Sequence, residues 1–384
     1  MDFLVIKRKC LIGCSVITIK SVFIDTELRW YHGYFVLRDL FFKAFLFIGG
    51  IIMRNIILSG VKPTGIPTLG NYLGAFKNFV KMQEAMSDYE LFMFIADMHA
   101  ITVPQDPVEL RRNIKNLAAI YLACGLKKDN LTLFIQSEVP EHLELGYVMQ
   151  STAYMGEMER MTQFKDKMAK GEKAVTTALF TYPALMAADI LLYDAKYVPV
   201  GEDQMQHLEL TRDLATRFNN RFGNTFVVPE GIVTKVGARI MDLQNPSKKM
   251  AKSDDEGKGC IYLLDPIPVI KKKIKSAVTD NLAHVHFDQE NQPGISNLMT
   301  IYSAITGESF EQIEAKYEGH GYGDFKGDLA EIVASEIEVI QNRFNELINS
   351  KELDTILDEG REKASYLARI KMKKVYHKLG IGRN

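Results

Sequence analysis

Arg54-Asn-Ile-Ile-Leu-Ser-Gly60, followed one residue later by Lys62-Pro-Thr-Gly-Ile-Pro-Thr-Leu-Gly-Asn-Tyr72, decides the fold. The apolar triplet Ile56–Leu58, closed by Ser59-Gly60, reads as a short buried strand. From Leu69 to Met86 apolar residues recur at helical spacing: Leu69, Tyr72, Leu73, Phe76 and Val80. Between strand and helix, Gly65 and Gly70 let a ligand come close to the backbone. Thr68 and Asn71 offer uncharged donors at a helix N-terminus, a good place for phosphate. A Gly- and Pro-bearing corner also serves structure alone, so this segment specifies architecture before chemistry.

The same alternation continues outward. Leu91–Ala96 reads as a second strand and Leu131–Gln136 as a third. Between them lies a helix with Asp106 as N-cap, Pro107 at its first position and Glu109 completing a capping box, which stops near Gly125. Helical patterns fill most of 141–194, Tyr197–Val200 is a short strand, and 202–222 is an amphipathic helix. Strands separated by helices of ten or more residues imply an α/β, Rossmann-like parallel sheet whose ligand site lies at the carboxyl ends of the strands. Beyond residue 265 the pattern turns helical over 271–276, 295–306, 325–349 and 353–379. The expected division is a catalytic domain over 53–256, with a helical insertion near 141–190, and an all-helical C-terminal domain over 257–384.

Residues 1–52 have another texture. They carry seven Lys and Arg against four Asp and Glu, and their longest uncharged apolar run, Ala44–Met53, is too short to span a bilayer. Arg29, Arg38 and Lys43 interrupt any signal-peptide core. Met53 is the expected natural start, and 1–52 an extension outside the fold.

At 47% apolar and 25% charged, the 384-residue chain has the composition of a soluble globular protein, not of a disordered or fibrous one. Its four cysteines form no CxxC pair, so neither a zinc site nor a disulfide framework is indicated, and a reduced, cytoplasmic protein is expected. A net charge of −1 excludes a global field for nucleic acid. RNA contacts would fall to local clusters: Lys271, Lys272, Lys273 and Lys275, then Lys371, Lys373, Lys374 and Lys378. Such runs also serve simply as solvated helix faces.

Three further motifs carry chemistry. Lys248-Lys-Met-Ala-Lys-Ser253 sets Lys249 and Lys252 three residues apart, able to neutralise a polyphosphate or to decorate a solvated loop. Val198-Pro-Val-Gly-Glu-Asp-Gln204 ends a strand in Gly201 and opens a helix with Glu202 and Asp203. Those acids suit a ribose hydroxyl or an ammonium group, and equally the helix dipole. In Tyr182-Pro-Ala-Leu-Met-Ala-Ala-Asp-Ile190, Asp189 is a lone acid among apolar neighbours, and a buried carboxylate is costly unless paired or used.

Taken in order with His99-Ala-Ile-Thr102, Met161-Thr-Gln-Phe164, the stretch 235–243, Gln292-Pro-Gly-Ile-Ser-Asn-Leu298 and 317–326, these motifs resemble bacterial tryptophanyl-tRNA synthetases from Met53 to the C-terminus. The resemblance implies a class I enzyme that activates L-tryptophan with MgATP and passes it to tRNA(Trp). It also implies a homodimer, no dedicated metal site and a helical domain that reads the anticodon. Thr68 and Asn71 stand where the first class I signature has histidines. Lys62, Pro63, Thr64, Gly70, Gly201, Glu202, Asp203 and Ile240 fall at ATP positions. The second signature covers Lys249, Met250, Ala251, Lys252 and Ser253, with Ala251 in place of the usual first serine. Asp189 is implied as acceptor for the indole N–H, Tyr182 and Gln204 as holders of the substrate ammonium. Met186, Val198 and Val200 flank the ring, His99 is a pocket candidate, and Leu58 replaces an aromatic residue of relatives. Lys165 and Lys167 are offered as phosphate contacts. A tyrosine-specific sister enzyme and a catalytically silent tryptophan sensor are the alternatives.

Overall fold

A computed structural model describes residues 54–162, 164–165, 176–201, 204–233, 239–250 and 257–383. Residues 1–53, Lys167, Glu202, Asp203, Ala251, Lys252 and Ser253 therefore lie outside the described residues. Arg54–Asn384 forms one compact unit.

Its centre is a five-stranded parallel sheet of β1 (Ile56–Val61), β2 (Glu90–Ile95), β3 (Leu131–Ile135), β4 (Tyr197–Val200) and β5 (Glu230–Val233), in the order β3-β2-β1-β4-β5. The chain winds outward from β1 to β3, then crosses back beside β1 to β4. That reversal opens a crevice at the carboxyl ends of β1 and β4.

Both faces of the sheet are buried, and the strands alternate between two cores. Ile57, Leu91, Met93, Ile95 and Leu133 face one core; Leu58, Phe92, Phe94 and Phe134 face the other. Burying a side chain of this size stabilises by roughly 1.5–3 kcal/mol. The first face is covered by α1 (Lys77–Ala85) and α2 (Pro107–Ala123), and by the later helices α6 (Ile267–Lys275), α7 (Pro293–Thr306), α8 (Phe310–Lys316) and α9 (Tyr322–Ile348). The second is covered by α3 (Glu141–Thr152), α4 (Thr177–Leu191), α5 (Met205–Phe222) and part of α10 (Lys351–Leu379).

The expected elements form, with instructive shifts. β1 runs three residues past the expected strand, through Ser59-Gly60 to Val61. Gly60 sits opposite Phe94 in the register, and the Phe94 ring lies where a Cβ on Gly60 would be, 2.3 Å from its nearest atom. The glycine ends no strand; it makes room for a ring. Leu69–Ala85 is helical throughout, but Leu69–Asn71 widens into a π-turn at Tyr72–Phe76 before α1 begins. Asp106 caps α2 by accepting from the N–H of Val108 and Glu109, while the Glu109 carboxylate turns to Arg112 at 3.2 Å, leaving the box half made. β5 has no counterpart in the sequence reading, since Glu230-Gly-Ile-Val is short and holds a glycine.

The edge strand β3 is protected by α10. Gly360 packs so closely that a Cβ there would fall 1.9 Å from the Leu133 carbonyl oxygen. An exposed strand edge invites pairing with other chains, and this helix closes it. On the same helix, Lys371 is not a solvated lysine. It is buried, with its ammonium 2.5 Å from Asp194 Oδ2 and 3.0 Å from the Thr225 carbonyl. In the other cluster Lys271 pairs with Glu331 and Lys273 with Asp265, while Lys272 and Lys275 stay exposed.

Candidate active site

The crevice at the sheet reversal holds a cavity of about 330 Å³. Its walls come from the ends of three strands and one helix. β1 supplies Leu58 to Val61 and leads into Lys62; β2 supplies Phe94 and leads into Ala96; β4 supplies Val198 to Val200 and leads into Gly201. From α4, Tyr182, Met186 and Asp189 project at spacings of four and three residues, so one helix face carries all three. His99 and Gln204 complete the wall. Every residue expected to bind tryptophan therefore lines one cavity: Leu58, His99, Tyr182, Met186, Asp189, Val198, Val200 and Gln204.

Asp189 is the chemical centre of this cavity, with only 1% of its surface exposed. Oδ1 accepts from Gln136 Nε2 at 2.8 Å and His142 Nδ1 at 2.6 Å; Oδ2 pairs with His99 Nε2 at 2.7 Å. Burial alone pushes the carboxyl up, but the His99 ring and the hydrogen bonds from His142 and His99 outweigh it and hold the group below the ordinary carboxylate range. Asp189 thus stays ionised in an apolar wall. A carboxylate offers about four lone-pair directions, and three are occupied by protein. Among the described residues Oδ2 has one such partner, and Asp189 is part of the cavity wall.

Lys62, which also lines the cavity, stands 5.5 Å from the centre of the Tyr182 ring. The surrounding wall strips water from its ammonium and holds its pKa below the usual lysine value. The Tyr182 hydroxyl is hydrogen-bonded to Nε2 of the buried His207 on α5, which fixes the ring from behind.

Of the residues expected at the nucleotide, Lys62 and Gly201 line the cavity, while Thr68, Gly70, Ile240 and Met250 lie together. Thr68 caps Leu69–Asn71 reciprocally: Asn71 N–H donates to Thr68 Oγ1 at 3.2 Å, and Thr68 N–H to Asn71 Oδ1 at 2.9 Å. The Thr68 hydroxyl also donates to Asn71 Oδ1 at 3.2 Å, so its proton is used within the cap. Asn71 Nδ2, on an exposed residue, takes no part in this pair. The strip 240–250 folds back on itself: Met250 N–H donates to the Ile240 carbonyl and Asp242 N–H to the Lys248 carbonyl. This turn sets Met250 inward and Lys249 outward. Met250 and Ile240 lie over Gly70, within 3.7 Å of where its Cβ would be. Asn297 of α7 clamps the turn by accepting from Met241 N–H at 2.8 Å and donating to the Met241 carbonyl at 3.0 Å. Thr64 is exposed beside the buried Pro63, and Lys165 is exposed after Met161.

The family model for class I tRNA synthetases of the tryptophan and tyrosine type matches residues 53–337. This chain belongs to that family. Among class I synthetases it is similar to the tryptophan–tRNA ligase of Bacillus anthracis, 57% identical over 329 residues, covering 86% of this chain and 99% of that one. The ligase of Bacillus subtilis strain 168 is 58% identical over 331 residues, with the same coverage. Among solved structures, tryptophanyl-tRNA synthetase from Mycoplasma pneumoniae superposes with a TM-score of 0.76 at 39% identity, over 86% of this chain and 99% of that one. The Campylobacter jejuni enzyme complexed with ADP and tryptophan gives 0.74 at 37% identity, over 85% and 100%.

Sequence reasoning missed the groups that surround Asp189 in this synthetase. Gln136, His142 and Tyr193 carry no local signature, since each meets Asp189 or its partner only through the fold. Phe94, Ala96, Ile190 and Pro199 also line the cavity unannounced. Among the described residues no group of His, Cys, Asp and Glu is arranged to hold a metal ion, and no helix is long and apolar enough to cross a membrane.

Proposed function

We propose that this chain ligates L-tryptophan to tRNA(Trp) in two steps. The tryptophan carboxylate attacks the α-phosphorus of ATP, forming the acyl phosphate bond of tryptophanyl-adenylate while pyrophosphate leaves. A ribose hydroxyl at the 3' end of the tRNA then attacks the activated carbonyl, and AMP leaves. Neither step needs a protein nucleophile, so catalysis rests on alignment and on stabilising developing phosphate charge.

The observation that carries this reading is Asp189: an ionised acceptor in the wall of an apolar cavity, with one lone-pair direction left. Indole N–H is a donor only, and an anionic acceptor is the strong match for it. A volume of about 330 Å³ suits one amino acid rather than a larger ligand. In this reading Met186, Val198, Val200 and Leu58 pack the ring, and His99 steadies the acid. Tyr182 and Gln204 hold the ammonium.

ATP, carried as its magnesium complex, would lie against Gly70 and Ile240. Lys62, Thr64, Asn71 and Lys249 would meet its phosphates, with Lys252 and Ser253 drawing off pyrophosphate and Gly201, Glu202 and Asp203 at the ribose. The helical part 257–384 would read the anticodon, leaving 53–256 to the chemistry, with 1–52 dispensable. A second copy of the chain would cover an apolar patch on and beyond α3, where Leu143, Tyr147, Tyr154 and Met155 are exposed, Tyr147 by 72%. The cytoplasm is the compartment that supplies these substrates.

The test is ATP–pyrophosphate exchange driven by tryptophan, with tyrosine in parallel, on the full chain and on a chain starting at Met53. Exchange with tryptophan alone, equal in both, is expected, followed by charging of tRNA(Trp). Exchange with tyrosine would replace this reading by the sister specificity. Tryptophan binding without exchange would leave a sensor.

A further inference from the structure

The polar groups behind Asp189 form a directed chain. Tyr193 OH lies 2.8 Å from His142 Nε2, and His142 Nδ1 lies 2.6 Å from Asp189 Oδ1. A carboxylate only accepts, so Nδ1 carries the proton; in the tautomer protonated at Nδ1 alone, Nε2 accepts from the Tyr193 hydroxyl. Burial pushes the Tyr193 phenol up, which keeps it a donor. His142 is itself wholly buried on α3 and boxed by Phe94, Phe134 and Tyr193, with ring centres 5.4–5.8 Å away. It touches neither the cavity nor solvent.

We infer that His142, set by Tyr193, is a positioning residue for amino-acid specificity: it occupies Oδ1 of Asp189, so that the remaining lone pair, on Oδ2, faces the cavity for the indole N–H. This rests on the reading of Asp189 as the indole acceptor. Gln136 shares Oδ1 and His99 shares Oδ2, so rotation of the carboxylate about its Cβ–Cγ bond would break bonds on both sides at once. The arrangement has the logic of an acid, an imidazole and an orienting hydroxyl, here fixing an acceptor instead of activating a nucleophile.

The test uses His142→Phe, which keeps the ring and its aromatic box but loses both hydrogen bonds, and His142→Asn, whose amide can still donate to Oδ1. Each is assayed with tryptophan and with the analogue in which sulfur replaces the indole N–H, benzothienyl-alanine, by exchange kinetics and by direct binding. Wild-type protein should prefer tryptophan over the analogue; the preference should shrink about 10-fold in His142→Phe, the worth of one hydrogen bond to a charged group, and largely return in His142→Asn. KM for ATP should stay within about twofold. If His142→Phe weakens both substrates equally and leaves the preference intact, the residue is only packing and the inference falls. If wild-type protein shows no preference for the N–H at all, the reading of Asp189 falls first, and that outcome is separately visible.

Discussion

Replacing Asp189 by asparagine removes one charge and almost no volume, and its consequences follow from the hydrogen bonds around it. Alanine would be the wrong probe. It would leave Gln136 Nε2, His142 Nδ1 and His99 Nε2 buried without their acceptor, at about 1–3 kcal/mol each. That sum approaches the roughly 5–15 kcal/mol holding a whole domain folded, so Asp189→Ala reports folding and not recognition. In Asp189→Asn the amide oxygen can still serve Gln136 and His142, and the amide NH2 can face His99, whose Nε2 accepts after a change of tautomer. The indole N–H then meets a donor. The loss combines a charge-assisted hydrogen bond, about 1.5–3 kcal/mol, with an unmatched buried N–H, about 1–3 kcal/mol. Together they lower kcat/KM for tryptophan about 10²- to 10⁴-fold, with KM for ATP within about threefold. The assay is ATP–pyrophosphate exchange across tryptophan concentrations, with the melting curve confirming a folded variant. A folded variant that loses less than about fivefold would refute the reasoning, because the cavity would then hold the indole without an anionic acceptor.

Other outcomes follow from single features. Gly360→Ala should destabilise by about 1–3 kcal/mol or more, because its Cβ would strike the Leu133 backbone, which cannot yield. Gly327→Ala on α9 meets nothing within 4 Å and should stabilise by about 0.4–1 kcal/mol; denaturant midpoints that fail to move in opposite directions would contradict this packing. Lys62→Met should raise KM for ATP about 10-fold while leaving Tm unchanged or slightly higher. The sign follows because a lysine whose pKa is depressed in the fold weakens stability at neutral pH; a lower Tm with unchanged KM would oppose it. Asp189 is held below its ordinary value, so its contribution to stability is present above about pH 4 and drains away as pH falls through its folded value. Urea midpoints at pH 6 and pH 3 should therefore differ more in the wild type than in Asp189→Asn.

Local pattern was enough for much of this molecule. The strand–turn–helix at 56–85, the capped start of α2 and the helical run beyond residue 265 are written in residues a few positions apart, so neighbours in sequence decide them. Asp189 was also visible, because an acid amid Met186, Ala187, Ala188, Ile190 and Leu191 breaks the texture of its own helix. β5 and the length of β1 were not visible. A four-residue strand with a glycine has no periodicity to read, and Gly60 continues its strand in register with β2, where the Phe94 ring fills the space a side chain would need. Lys371 reads as a solvated charge until the fold brings Asp194 and Thr225 to it.

The sequence by itself determined the alternation of strands and helices, the order of the motifs and the identity of the acid, since each lives in local spacing. Only the tertiary structure decided what that acid can do. His99, Gln136 and His142 lie 90, 53 and 47 residues away along the chain, and no periodicity connects them to Asp189. Their meeting depends on how α3 and α4 pack over the ends of the parallel strands. That packing gives a buried carboxylate the partners that hold its pKa down, and sets it in the wall of the cavity.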